Sequence, residues 1–304
     1  MTRLKGICLI GVAVTALLGA SLSTAGCSRP VAAGPRADAS AVKEIRKKLE
    51  TAPPAEEETE SEGAEAAATG WSMLSGRFVF DGPKPTPVKL NANKDTEACG
   101  KHPLFDESIV VGQDGGLANT VVFLRTAKPD VHPDYEATAN EQMVLDNRDC
   151  RFEPHVLLLR TTQTLLVKNS DPVGHNSNFQ SPANGSPNPI IPAGVGMEQK
   201  FTKPEALPVQ IGCNIHPWMG AWLLVRSDPY AAISDSSGRF SIKNLPAGKP
   251  LEFQLWQEKA KALKGVELAG APGVKVDAKG RFKVTLQPDQ PLEIEIRVPA
   301  EAIR

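Results

Sequence analysis

From Trp71 onward the chain runs in short apolar-rich stretches, many alternating with polar residues and each broken by Gly, Pro, Asn or Asp. Stretches of this length, rich in branched and aromatic residues and bounded by turn formers, predict β-strands. The expected strands are 77–80, 108–111, 120–124, 155–159, 164–167, 209–212 and 222–225, then 239–242, 251–256, 281–286 and 292–298. No long helical period separates them, so the pattern predicts all-β sandwiches rather than a parallel α/β sheet. A chain of 304 residues exceeds one small sandwich, and more than one β unit is expected.

The segment 28–70 has a different pattern: Ala, Glu and Pro dominate, with Glu56, Glu57, Glu58, Glu60, Glu62 and Glu65 clustered and almost no large apolar residue. Such a composition cannot bury a core, so it reads as a disordered tether. Within it, 38–49 could form a short helix with Val42, Ile45 and Leu49 on one face, marginal without a partner. Ahead of the tether, Arg3 and Lys5 precede an uncharged stretch that ends in Thr24-Ala25-Gly26-Cys27, an export signal covering 1–27. Cys27 resembles the lipidated cysteine of a bacterial lipoprotein signal, with Thr24 where that pattern prefers Leu. Cleavage to a free protein and a retained N-terminal anchor are the alternatives. All three place the remainder in the periplasm or cell envelope, touching the membrane only through an N-terminal lipid or anchor.

Lys plus Arg number 34 against 35 for Asp plus Glu, a balance that excludes a broad phosphate-binding face, so nucleic acid is not an expected partner. No nucleophile with a matched base, phosphate-cradling glycine loop or persuasive carboxylate pair is present, so no enzyme activity is expected. Cysteine use is more informative. Of five cysteines, Cys8 lies in the signal and Cys27 is the candidate for lipidation, leaving Cys99, Cys150 and Cys213. An oxidising compartment pairs thiols that can meet, and three cannot all pair. A Cys99–Cys150 disulfide would leave Cys213 free, and a bound metal is a physical reason for a thiolate to persist there.

Cys213-Asn214-Ile215-His216-Pro217-Trp218-Met219 spaces a thiolate, an imidazole and a thioether three residues apart, between two expected strands. Copper that cycles between oxidation states favours one soft thiolate, two imidazoles and a weak axial thioether, so a second histidine must come from elsewhere. His175, in the turn-rich stretch Lys168-Asn169-Ser170-Asp171-Pro172-Val173-Gly174-His175-Asn176, is the best candidate. Zinc suits thiolate and imidazole, but methionine is a poor zinc ligand and no fourth hard ligand is evident. A c-type haem needs a second cysteine. His155 is expected at a strand start, and His102 and His132 in loops, without assigned chemistry.

With those residues in place, the stretch 143–226 resembles the small blue copper proteins, the cupredoxins, and amicyanin most in pattern. The resemblance implies a Greek-key sandwich holding one type 1 copper, with His175, Cys213 and His216 as equatorial ligands and Met219 as the axial one. It places Asn176 as the residue whose hydrogen bonds tie the two ligand loops together. It also implies that Pro172, Val173, Pro217 and Trp218 form an apolar rim beside a more exposed His216, where an unidentified redox partner protein docks. Ile211 departs from the family, which often has an aromatic two residues before the cysteine. Proteins with amicyanin-like loops are often labelled for methylamine utilisation, but no residue here identifies such a partner.

Two further segments are alike: Ser236-Ser237-Gly238-Arg239-Phe240-Ser241-Ile242 and Asp277-Ala278-Lys279-Gly280-Arg281-Phe282-Lys283-Val284. Each is a glycine turn followed by an alternating strand. The first continues into Asn244-Leu245-Pro246-Ala247-Gly248 and resembles the transthyretin-like repeats related to carboxypeptidase regulatory domains. The expected order is therefore signal 1–27, tether 28–70, strands of a transthyretin-like sandwich in 71–142, copper sandwich in 143–226 and further sandwich strands in 227–304. The flanking strands form either one domain interrupted by the copper unit or additions to it. The expected function is electron transfer; the alternatives are a non-catalytic cell-envelope binding or structural module, and copper storage or delivery.

Overall fold

The computed structural model describes residues 68–303. The export signal, Cys27, the expected helix at 38–49 and nearly all of the tether lie outside the described residues. Among the described residues the fold is nearly all β, with one short α-helix, Thr96–Cys99, and three short 3-10 turns.

Strand Gly70–Asp81 shows how alternation builds the first sandwich. Leu74, Phe78 and Phe80 are buried while Ser75, Arg77 and Val79 between them are only partly covered. It pairs antiparallel with Arg239–Ala247 and parallel with Leu292–Pro299, so that Phe78 stands level with Ile296. The facing sheet is ordered Ala231–Ile233, Val121–Leu124, Pro250–Gln257, Lys261–Ala262, with Arg281–Thr285 also on Pro250–Gln257. Leu74, Phe78, Val122, Leu124, Phe253 and Ile296 share one core. Strands from both sides of the central stretch thus belong to the same two sheets.

The central stretch forms a second sandwich. One sheet is ordered Gly196–Lys200, Thr164–Asn169, Gln142–Arg148, Arg151–Glu153; the other is Val156–Arg160, Gly220–Arg226, Val209–Gly212, Asn178–Phe179. Leu145, Leu165, Val167, Phe179, Ile211 and Leu223 fill its core, which also takes in Cys213 and Met219. A third apolar layer joins the sandwiches back to back through Val121, Phe123, Val156, Trp222, Leu224 and Trp256. The Trp222 and Trp256 rings meet edge to face at 5.0 Å, with the Lys261 Nζ 3.6 Å from the Trp222 ring centre. That layer explains why Val121–Leu124 and 221–225 are unbroken apolar runs: each is buried on both faces.

Two expectations change. The segment 108–111 is not a strand, and only Val111 makes an isolated bridge, to Leu117. Its polar groups are satisfied outside any strand ladder: the Ser108 N–H donates to Asp106 Oδ1, and the Ser108 carbonyl accepts from the distant Gln257 side chain. Conversely, Gln142–Arg148 and Gly196–Lys200 are strands without a clean alternating signal, the second an edge strand with no buried residue.

Candidate metal centre

Register between Val209–Gly212 and Gly220–Arg226 places Gly212 opposite Gly220, so residues 213–219 must close a tight loop across the end of the hairpin. The Met219 N–H donates to the His216 carbonyl (2.9 Å), and the His216 N–H points at Cys213 Sγ (3.4 Å). His175 arrives from the other sheet system. The turn after Thr164–Asn169 is folded by the Asn169 side chain, which donates to the carbonyls of Val173 and Ile191, and His175–Asn176 then pairs with Ile190–Ile191.

These loops bring three donors to one point. Cys213 Sγ lies 3.9 Å from His175 Nδ1 and 3.8 Å from His216 Nδ1, and the two Nδ1 atoms are 2.9 Å apart. All three side chains are buried, and Cys213 is a free thiol. Met219 is buried in the same core, in the loop that carries Cys213 and His216. Asn176 bridges the loops: its Oδ1 accepts from the Asn214 N–H (2.8 Å), the Ile215 N–H (3.3 Å) and the Cys213 thiol (3.5 Å).

Neither imidazole has a free outer nitrogen. His175 Nε2 is 2.9 Å from Asp171 Oδ2, and His216 Nε2 is 2.7 Å from Asp95 Oδ2. A carboxylate accepts only, so each Nε2 carries the proton and each Nδ1 is left with its lone pair toward the other. Two lone pairs at 2.9 Å repel unless a proton or a metal ion is shared between them. Burial depresses the His175 imidazole, but the Asp171 carboxylate and the Cys213 sulfur outweigh it and raise its pKa to about 9. Burial raises the Cys213 thiol, yet His175 and the surrounding N–H groups bring it below its ordinary value. His216 is lowered by burial and by the His175 charge, against the pull of Asp95. A soft sulfur beside two imidazole lone pairs fits a thiophilic transition metal.

The remaining expected residues are placed as follows. Cys99 and Cys150 form a disulfide. Their position alters the expected rim. The segment that carries Cys99 lies over the ligand loops: Val173 and Trp218 pack against Cys99, Cys150 and Leu104, and the Trp218 indole donates to the Cys150 carbonyl (3.0 Å). Pro172 and Pro217 are exposed, but Pro217 and Trp218 line a cleft of about 640 Å³ shared with His155 and Glu258, while Pro172 and Val173 face Asp95 and Lys101. Pro172 and Val173 thus line a different hollow from Pro217 and Trp218, and His216, expected to be the more exposed ligand, has no exposed surface. His155 precedes Val156–Arg160 and pairs with Glu258 (2.7 Å), and His102 and His132 sit in loops near Asp149 and Asp134.

Sequence reasoning missed both outer carboxylates. Asp171 carried a local signal, since it stands four residues before His175 in a turn. Asp95 carried none, being 121 residues from His216.

No protein-family model and no curated protein sequence matches the chain. Among solved structures, a reduced Cu(I) form of an amicyanin mutant is 19% identical and covers 34% of this chain and 98% of its own, at a TM-score of 0.26. A purple cupredoxin from Nitrosopumilus maritimus is 21% identical over 28% of this chain and 99% of its own, at 0.24. A copper-containing nitrite reductase from Thermus scotoductus is 22% identical over 28% of this chain and 22% of its own, at 0.25. These are partial likenesses to a part of the chain, and the donor set stands on its own distances.

Proposed function

We propose that this chain is an exported copper protein that carries electrons, with one copper held in the type 1 manner by His175, Cys213, His216 and Met219. One observation carries the reading: two buried imidazoles turn their Nδ1 lone pairs on each other at 2.9 Å beside a buried free thiol, with both Nε2 atoms already committed to carboxylates. Copper bound there would cycle between Cu(I) and Cu(II), for which thiolate, imidazole and thioether donors are suited. The chain's own residues keep the donors in place across that change. Asp171 and Asp95 fix the two rings, Asn176 ties the loops, and the buried surroundings exclude water.

Sealed donors leave no open position for a substrate, which favours an electron carrier over a catalyst, and capped ligands do not favour the ready exchange that storage or delivery needs. Export, with Cys27 as the lipidated residue, completes the proposal. Adding Cu(II) to the purified protein is expected to produce an intense visible thiolate-to-copper band that Cys213→Ala abolishes while the protein stays folded. Copper uptake without that band, or a band that survives in Cys213→Ala, overturns the assignment.

A further inference from the structure

The segment Leu90–Leu104 covers the face of His216 that points away from the donor cluster. Its two ends are tied to each other by the Leu90 N–H donating to the Leu104 carbonyl (2.9 Å), and its middle is fastened by the Cys99–Cys150 disulfide. Between Leu90 and Cys99, Asp95 adopts a left-handed backbone (φ 46°), which costs a non-glycine residue energy and persists where the surroundings impose it. Its carbonyl accepts from the N–H groups of Ala98 and Cys99 at 2.9 and 2.8 Å, so Asp95 and Cys99 move as one turn. The same disulfide reaches the other ligand: the Cys150 N–H donates to Asp171 Oδ2 (2.9 Å), the oxygen that holds His175 Nε2.

We propose that Asp95 is a positioning residue for the metal centre, delivered to His216 by a cap that the Cys99–Cys150 disulfide clasps in place. This rests on the copper reading above and deepens it. A half-exposed carboxylate 2.7 Å from His216 Nε2 does two things. It holds the ring with Nδ1 toward Cys213. It also sets a negative charge one ring away from the ion, which favours the dipositive over the monopositive state. Because the cap sits where an open ligand edge was expected, a protein that exchanges electrons here must meet the cap surface rather than the imidazole itself. The disulfide links the two outer carboxylates by a short route, from Asp171 through its hydrogen bond with the Cys150 N–H, across the Cys150–Cys99 bond, to the turn that carries Asp95, so both rings depend on one cross-link.

The test compares the full chain with Asp95→Ala, Asp95→Asn and the double variant Cys99→Ser/Cys150→Ser. Each is titrated with Cu(II) and Cu(I) against competing chelators, its reduction potential is recorded, and the imidazole nitrogens of the metal-free protein are observed by NMR. Losing an outer-shell partner of a metal-bound histidine costs about tenfold or more in affinity. Asp95→Ala is expected to lose about tenfold in Cu(II) affinity and much less in Cu(I) affinity, which for a one-electron couple raises the potential by about 59 mV. Asp95→Asn keeps an acceptor oxygen without the charge, so it is expected to share the rise in potential with a smaller loss of affinity. The clasp variant is expected to follow Asp95→Ala. In the metal-free protein the His216 Nε2–H tautomer is expected to give way to a mixture in Asp95→Ala. A wild-type potential, Cu(II) affinity and tautomer in Asp95→Ala, with the visible band intact, overturns this proposal alone. Absence of the band from the unmodified protein overturns the copper reading beneath it.

Discussion

Asn176 is the residue through which the two ligand loops are joined, and truncating it to alanine separates a loop-tying role from simple core filling. The change deletes one oxygen that accepts from the N–H groups of Asn214 and Ile215 at 2.8 and 3.3 Å. It also removes the side-chain bond to Asn188 at 2.6 Å. A typical intramolecular hydrogen bond contributes about 0.5–1.5 kcal/mol net, so the two loop bonds together are expected to cost about 1–3 kcal/mol. Asn214 is exposed, and water can replace its bond, which places the metal-free protein in the lower half of that range. The metal-bound protein should lose more, because the same loop orients Cys213. A tenfold to hundredfold loss of metal affinity adds about 1.4–2.7 kcal/mol. Urea unfolding followed by tryptophan fluorescence, with and without bound copper, measures both terms. Asn188→Ala is the control, removing only the distal bond, and is expected to cost no more than about 1.5 kcal/mol in either state. If Asn176→Ala matches Asn188→Ala both with and without copper, the tie between the loops is energetically idle and the reasoning fails.

Further outcomes follow from other parts of the molecule. Trp222→Ala and Trp256→Ala each empty part of the layer between the sandwiches and should destabilise by about 3–5 kcal/mol; calorimetry that shows little change would mean the layer closes over the gap. Removing the Cys99–Cys150 link, which closes a separation of 51 residues, should cost about 4 kcal/mol of unfolding free energy on the loop-closure estimate. Burial depresses His155, but Glu258 and Glu107 outweigh it and leave its pKa above 6.5. Its protonated form is favoured in the folded state, so its stabilising contribution is complete below pH 6.5 and fades as pH rises through the elevated value. His155→Gln should flatten that part of the stability profile, and an unchanged slope in urea unfolding between neutral and mildly alkaline pH would refute the assignment.

Local pattern determined the β character of the chain and three of the four candidate ligands. The apolar-rich runs 77–80, 120–124 and 222–225 read as strands, but the structure is what shows both faces of 121–124 and 221–225 covered. Cys213, His216 and Met219 are bound together by loop spacing alone, and one short loop delivers all of them whatever surrounds it. Periodicity specifies a buried face but not the partner that covers it. The joining of strands from both flanks into one sandwich was therefore open until pairing was seen, and the polar edge Gly196–Lys200, which has no buried face, left no pattern to read. Closure of the site likewise belongs to tertiary structure. His175 reaches Cys213 across 38 residues and Asp95 reaches His216 across 121. A lone aspartate in a polar loop is indistinguishable from its neighbours until packing and a disulfide place its charge against a buried ring.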